Sequence, residues 1–103
     1  MNHKLHSFLH LIKRSNAFAL GSDFVTSKNL SRIHLVLIST TISEQSKKPL
    51  LNFLLSNKLQ YYDVPANIIT SLYPGKNVKV ITITNKESAR KIANLMKEGE
   101  SYE

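Results

Sequence analysis

Residues 33–65 read IHLVLISTTISEQSKKPLLNFLLSNKLQYYDVP. This segment combines a strand pattern, a polar turn and a helix pattern, and it indicates the fold more clearly than any other segment. Residues 33–39 are apolar on both faces, which is typical of a central strand that helices cover on each side. After a polar turn, the apolar residues that follow Pro49 predict a helix, because proline is tolerated in a first helical turn and Ser46 can cap it. Those apolar residues cover a wide arc, so we expect this helix to be deeply packed.

The N-terminal third of the chain alternates between helix and strand patterns. Apolar residues at positions i, i+3, i+4 and i+7 predict an amphipathic helix over residues 4–15. Residues 17–20 form a short apolar run that we interpret as the first strand. The following Gly21-Ser22-Asp23 predicts a turn into a second helix, capped by its serine or aspartate and ending before Arg32.

The C-terminal third shows two further strand patterns, at residues 67–70 and 78–84, on either side of a Pro74-Gly75 turn. Thr84 and Glu87 have capping-box spacing, so we expect the last helix to begin there. The apolar residues of that helix again repeat at i, i+3, i+4 and i+7.

Together these patterns predict an α/β protein, a three-layer α/β/α sandwich with a mixed four-stranded sheet and helices on both faces. The chain has 103 residues, which suits one domain, and we place that domain at residues 1–97. Residues 98–103 are expected to form an acidic, mobile tail.

The charge of the chain favours a polyanionic partner. The net charge is +7, and three of the seven acidic residues lie among the last six positions. Residues 1–97 therefore hold all 14 Lys and Arg but only four acids, a net charge of +10. A body this basic indicates nucleic acid ahead of an acidic membrane, although a basic surface kept for solubility is the alternative.

Several classes of function lack their sequence signatures. The absence of cysteine excludes disulfides, thiolate catalysis and cysteine zinc sites. No segment is long and apolar enough to span a bilayer, so we expect a cytoplasmic protein. No nucleophile motif or phosphate-binding glycine loop occurs, so we expect neither an enzyme nor a cofactor nor a small-molecule substrate. His6 and His10 have metal-ligand spacing, but with no carboxylate nearby in sequence we expect solvated histidines and no metal site.

The elements between residues 5 and 96 resemble, in their order, those of the kink-turn RNA-binding ribosomal-protein family, which includes large-subunit ribosomal proteins 7Ae and 30e. The small bacterial members of that family are the most similar. The resemblance implies a helix-covered sheet, binding of structured RNA, and association with the ribosome or translation. The chain departs from the family in two places. It is longer before Tyr61, and it is shorter between Pro65 and Val78, where the family has a small helix.

The resemblance places the RNA site at the start of the second helix, where free backbone N–H groups favour phosphates. Gly21 and Ser22 match the family pattern, but Asp23, Phe24 and Ser27 stand where the family has Asn, Glu and Lys. Each base-edge contact is worth roughly 1–3 kcal/mol, so losing two weakens guanine reading by about 2–6 kcal/mol. We therefore expect little preference for kink-turns, and expect restoring all three family residues to raise it about tenfold.

Further candidate RNA-binding residues flank this turn in sequence, namely Lys13, Arg14, Lys28 and Arg32. They are expected to line one basic edge, or else to be solvated charges. Tyr73 lies in the shortened loop and is a candidate for stacking on a base, with packing inside the turn as the alternative. A second class of function also remains open, a protein-interaction module on the same fold that forms a weak homodimer.

Overall fold

Helices cover both faces of a four-stranded sheet in the computed structural model, which describes residues 3–100 and the side chains of residues 4–97. The strands are β1 Phe18–Leu20, β2 Leu35–Ser39, β3 Tyr61–Val64 and β4 Val80–Ile83. The helices are α1 His3–Lys13, α2 Glu44–Ser56, α3 Ala66–Leu72 and α4 Lys86–Glu100. The predicted fold class is confirmed.

The strands lie in the order β1-β4-β2-β3, so the two strands with the most continuous apolar sequence occupy the centre. β2 and β3 are parallel and are joined through α2, whereas β4 runs antiparallel to both of its neighbours. Every residue of β2 and β4 is buried, as expected for strands covered on both faces.

Two apolar cores lie on opposite faces of the sheet. On one face α1, α3 and α4 pack around residues such as Leu9, Leu37 and Ile92. On the other face α2 and the segment after β1 pack around Val36 and Leu54. These side chains are 0% exposed, and each contributes about 1.5–3 kcal/mol of transfer free energy on burial.

The predicted second helix is wrong. The chain forms two short 3₁₀ segments instead, Ser22–Phe24 and Ser27–Arg32. Neither has a side-chain cap hydrogen bond, so the predicted capping by serine or aspartate is also absent. The Asn29 side chain donates to the Phe24 carbonyl at 2.9 Å, which satisfies the backbone locally and competes with an α-helical ladder. The segment also lacks an apolar stripe that packing could select.

The strand predicted at residues 67–70 is also wrong, because these residues lie inside α3. Its Ile68, Ile69 and Leu72 are buried in the core, so packing overrides the β-propensity of the Ile-Ile-Thr run. The fourth strand is β3, formed by the Tyr-Tyr-Asp-Val run, which pairs with β2. A small helix thus does follow Pro65, at the place where the resembling family has one.

Helix α2 begins earlier and packs less deeply than expected. Ser43 is its N-cap and accepts from the Ser46 backbone N–H at 3.2 Å, so Pro49 lies within the helix. Only Leu50 and Leu54 are buried, and Leu55 is 64% exposed. The wide apolar arc of this helix therefore reaches the surface.

Helix α4 confirms the predicted apolar stripe but not its cap. Asn85 caps the helix, since its Oδ1 accepts from the Ser88 backbone N–H at 2.8 Å. Thr84 instead donates to the Ala17 carbonyl. The helix continues to Glu100, so the first three residues of the predicted tail are helical, and residues 101–103 lie outside the described part.

Candidate nucleic-acid interface

The Gly21 turn is fixed by a backbone conformation that favours glycine. Gly21 has a φ of 87°, and its N–H donates to the Val80 carbonyl at 2.8 Å. This bond ties the end of β1 to the start of β4. Ser22 and Asp23 follow in the first 3₁₀ segment and are exposed.

Three loops meet at this end of the sheet. Because β4 runs antiparallel to β1 and β2, its start lies beside their ends. The loops enclose an open cleft with a volume of about 510 Å³, which we call the Gly21 cleft. It is lined by Leu20, Gly21, Ser22, Asp23, Thr41, Ile42, Ser43, Ser46, Asn77, Val78, Lys79 and Val80.

Lys79 is the cation held at this cleft. Its Nζ donates to Thr41 Oγ1 at 2.9 Å, and Thr41 Oγ1 lies 2.8 Å from Ser39 Oγ. The backbone carbonyl of Lys79 also accepts from the Ser39 N–H at 2.8 Å. These bonds hold the ammonium group between the end of β2 and the start of β4, where it can meet an anion.

Other groups at the Gly21 cleft limit its positive charge. Asp23 is the carboxylate that lines it. The first turn of α2 also borders it, but Ser43 already caps that turn and Glu44 lies in it. Lys47, further along α2, forms an ion pair with Asp63 at 3.5 Å. Lys79 is therefore the cation that lines the cleft. Lys76 is exposed in the same loop, next to the lining residue Asn77, but does not itself line the cleft.

A second, smaller groove continues from the Gly21 cleft along α2. Its volume is about 270 Å³, and it shares Ser22 and Ser46 with the larger cleft. Its other lining residues are mainly apolar, namely Val25, Pro49, Leu50 and Phe53. The half-buried ring of Phe53 gives this groove a surface on which an unstacked base can pack beside a backbone phosphate.

Lys13 does not line the Gly21 cleft. Its Nζ donates to the Leu72 carbonyl at the end of α3 and lies 4.5 Å from the centre of the Tyr73 ring. A lysine at a helix C-terminus stabilises the exposed carbonyls. The structure therefore gives Lys13 a role in packing α1 against α3.

A stability measurement checks this role of Lys13. Lys13→Gln is expected to lower the free energy of unfolding by about 1 kcal/mol, because a hydrogen bond to a charged group is lost. Arg14→Gln is the matched control, since it removes the same charge from the next, exposed residue and should change stability by less than about 0.5 kcal/mol. Urea denaturation measures both. Equal effects of the two substitutions would contradict the assigned contact.

The other predicted residues of the basic edge are also dispersed. Arg14 and Lys28 are exposed and do not line the Gly21 cleft. Arg32 lies in the opposite layer from Lys13, with its guanidinium carbon 5.2 Å from the centre of the Phe24 ring. The structure thus does not bring these four cations to one edge.

Tyr73 packs within the fold. It is half-buried against the core, and its ring lies 6.4 Å from that of Phe18. Burial raises the pKa of its hydroxyl above the usual value. Tyr73 is not among the lining residues of the Gly21 cleft, so the packing alternative describes its surroundings.

The three positions at which the resembling family reads guanine, residues 23, 24 and 27, differ in their environments here. Asp23 and Ser27 are exposed, whereas Phe24 is half-buried and packs against the core beneath α2. Phe24 ends the first 3₁₀ segment and Ser27 begins the second, so no continuous α-helix holds them one turn apart. The geometry on which the expected tenfold gain depended is therefore absent.

Lys76, Asn77 and Lys79 are not among the binding residues that the sequence predicts. The predicted strand begins at Val78, whereas β4 begins at Val80, so Lys79 lies in the loop before the strand. The signal that could have identified the loop is its composition, two lysines and an asparagine directly after Pro74-Gly75.

The histidines of α1 lie in a different part of the molecule. His6 and His10 are half-buried, and both approach Ser71 of α3, so they are not the freely solvated side chains expected from sequence. Burial, His6 and Lys13 together hold the pKa of His10 below its ordinary value.

Comparison with known proteins identifies the fold. No protein-family model and no curated protein matches the chain. A solved structure of a protein with unknown function from Bacillus halodurans is similar over 91% of this chain and 97% of that one, with 23% identity and a TM-score of 0.81. At this identity the similarity supports the α/β architecture alone. Among residues 3–100, no helix is both long and apolar enough to cross a membrane.

Proposed function

We propose that this chain is a non-enzymatic, cytoplasmic RNA-binding protein of the ribosome or the translation machinery. It binds structured RNA, ribosomal RNA above all, through phosphates at the Gly21 cleft. The observation that carries the proposal is the placement of Lys79, held at this cleft in a body with a net charge of +10. The resemblance to the kink-turn RNA-binding family supports the same function.

The proposed binding mode differs from that of a helix N-terminus. The segment after Gly21 is a three-residue 3₁₀ segment without a side-chain cap, so its few free N–H groups offer little attraction. Lys79 at the cleft and Lys76 in the same loop supply the charge, and the smaller groove beside Phe53 takes an unstacked base. Asp23 repels phosphate and cannot donate to a guanine carbonyl, so recognition has little sequence preference.

RNA binding of this kind is expected to be strongly salt-dependent. If Lys76, Lys79 and about two further cations of the basic body each engage a phosphate, the logarithm of the binding constant should fall with the logarithm of salt concentration with a slope of about −3. Fluorescence anisotropy with a labelled kink-turn RNA measures this slope. The control is an RNA in which Watson–Crick pairs replace the G·A pairs. Its dissociation constant should lie within about threefold of that of the kink-turn RNA, because phosphate contacts do not read sequence. Absence of binding at low salt would contradict the proposal.

A protein-interaction module is the second candidate, and exposed leucines favour it. Leu55 on α2 is 64% exposed and Leu11 on α1 is 66% exposed, although they lie on opposite faces of the sheet. Sedimentation velocity across a concentration series distinguishes the candidates. A compact dimer that is indifferent to RNA would support the interaction module, whereas a monomer that sediments with RNA supports the proposed function.

A further inference from the structure

His6, His10 and Ser71 form a cluster between α1 and α3, on the face of the sheet that Lys13 also occupies. The two Nε2 atoms of the histidines are 3.2 Å apart. Ser71 Oγ lies 2.8 Å from His6 Nε2 and 3.4 Å from His10 Nε2. Three polar heavy atoms thus lie close together, and two of them are imidazole nitrogens from successive turns of one helix.

Hydrogen bonding between these three side chains needs only one imidazole proton. Ser71 donates its hydroxyl proton to the Ile68 carbonyl at 2.8 Å, so its oxygen accepts from an imidazole N–H when no metal is bound. Each neutral imidazole carries one N–H, on either nitrogen. When both rings carry that proton on Nδ1, the two Nε2 atoms present lone pairs to a cation.

We propose that His6 and His10 bind a zinc-class divalent cation through their Nε2 atoms, with Ser71 Oγ close enough to hold a water bound to that cation. Zinc–nitrogen distances are about 2.0–2.1 Å, so two nitrogens 3.2 Å apart subtend an angle of about 100° at a bridging ion. That angle is close to tetrahedral, so the rings need little movement. Imidazole is a preferred ligand of zinc, copper and nickel.

The rest of the coordination shell sets the expected affinity. Within the described part of the chain, no three His, Asp or Glu residues lie close enough together to hold a metal. Water would fill the remaining positions, and the site would exchange its ion. With two protein ligands instead of the four of a structural site, a dissociation constant on the order of 10 μM is expected. The bound ion would join α1 to α3 and stabilise their packing.

Calorimetric titration of the tag-free chain with Zn²⁺ tests the proposal. All proteins carry His3→Ala, because the side chain of His3 is outside the described ones and could add a ligand. His6→Ala and His10→Ala are each expected to weaken binding at least tenfold. His34→Ala is the matched control, since His34 is half-buried beside α4 in a separate groove, and it should change nothing. Mg²⁺, which prefers oxygen ligands, should not bind.

A second measurement on the same background keeps the test independent of the folding of the variants. Zn²⁺ should protect His6 and His10, but not His34, from carbethoxylation by diethyl pyrocarbonate, as read by peptide mass spectrometry. Equal modification of the three histidines with and without Zn²⁺ would overturn the proposal. So would calorimetric binding that His6→Ala and His10→Ala leave intact.

Discussion

Replacing both Lys76 and Lys79 with glutamate is expected to weaken the binding of structured RNA about tenfold or more. Lys79 is held at the Gly21 cleft by its bond to Thr41. Lys76 lies three residues before it in the same loop, beside the lining residue Asn77. The reversal removes two phosphate contacts and adds two repulsive charges. The magnitude of the salt slope should also fall, by about 1.4–1.8 for the two lost contacts.

A matched pair of substitutions separates this cleft from the general charge of the protein. Lys86 and Arg90 line a groove beside His34, which precedes β2, so they lie at the opposite end of the sheet. Lys86→Glu with Arg90→Glu changes the net charge equally and should weaken binding less than about threefold, since distant surface charges are screened. Equal losses for both pairs would contradict binding at the Gly21 cleft. Circular dichroism confirms that each variant is folded.

Phe24→Glu is expected to lower the free energy of unfolding by about 2 kcal/mol or more, because it removes a half-buried ring and places a carboxylate in its position. Phe24 packs against the core beneath α2, and the Arg32 guanidinium lies over its ring. A carboxylate near Arg32 offsets part of the cost, but an exposed ion pair contributes less than about 1 kcal/mol.

Phe24→Leu is the control for this substitution. It retains an apolar side chain, and the expected loss is about 1 kcal/mol. Urea denaturation at constant m-value measures both variants. If Phe24→Glu is as stable as the native protein, Phe24 does not pack against this core as described.

The expected behaviour of Phe24 also bears on the resemblance to the kink-turn RNA-binding family. The family has a glutamate that reads guanine at this position, whereas here a phenylalanine contributes to a core. The turn is thus similar at Gly21 and Ser22 and diverges from the next residue onward. Binding through phosphates with little kink-turn preference is consistent with both features.

Sequence patterns predicted the elements whose signals are strong and local. The predicted apolar stripes of α1 and α4 are confirmed, because each helix buries the residues that define its pattern. The predicted strand at residues 33–39 is confirmed for its apolar core, although β2 begins two residues later, at Leu35. The helix predicted after Gly21 is wrong because this segment has no apolar stripe to pack against the core. Local side-chain hydrogen bonds stabilise 3₁₀ turns there instead. The strand predicted for the Ile-Ile-Thr run is wrong because packing against α1 stabilises a helix by more than the β-propensity of these residues favours a strand.

The candidate site could be predicted only in part. Gly21 was recognisable, since a glycine between a strand and a polar run indicates a turn. The residues that surround that turn depend on the strand order. Because β4 lies between β1 and β2, Lys79 is close both to the Gly21 turn and to Thr41. No local sequence pattern predicts this strand order. The prediction that Lys13 and Arg32 line one basic edge is wrong, because residues that flank a turn in sequence need not lie on one face of the sheet.

Photocrosslinking measures most directly where RNA binds. Structured RNA containing 4-thiouridine is irradiated with the native protein, and mass spectrometry identifies the crosslinked peptides. Crosslinks are predicted at residues 21–24, 40–43 and 76–79, the three loops that meet at the Gly21 cleft. Crosslinks confined to α4 or α1, or the absence of any crosslink under conditions where RNA is bound, would contradict binding at this cleft.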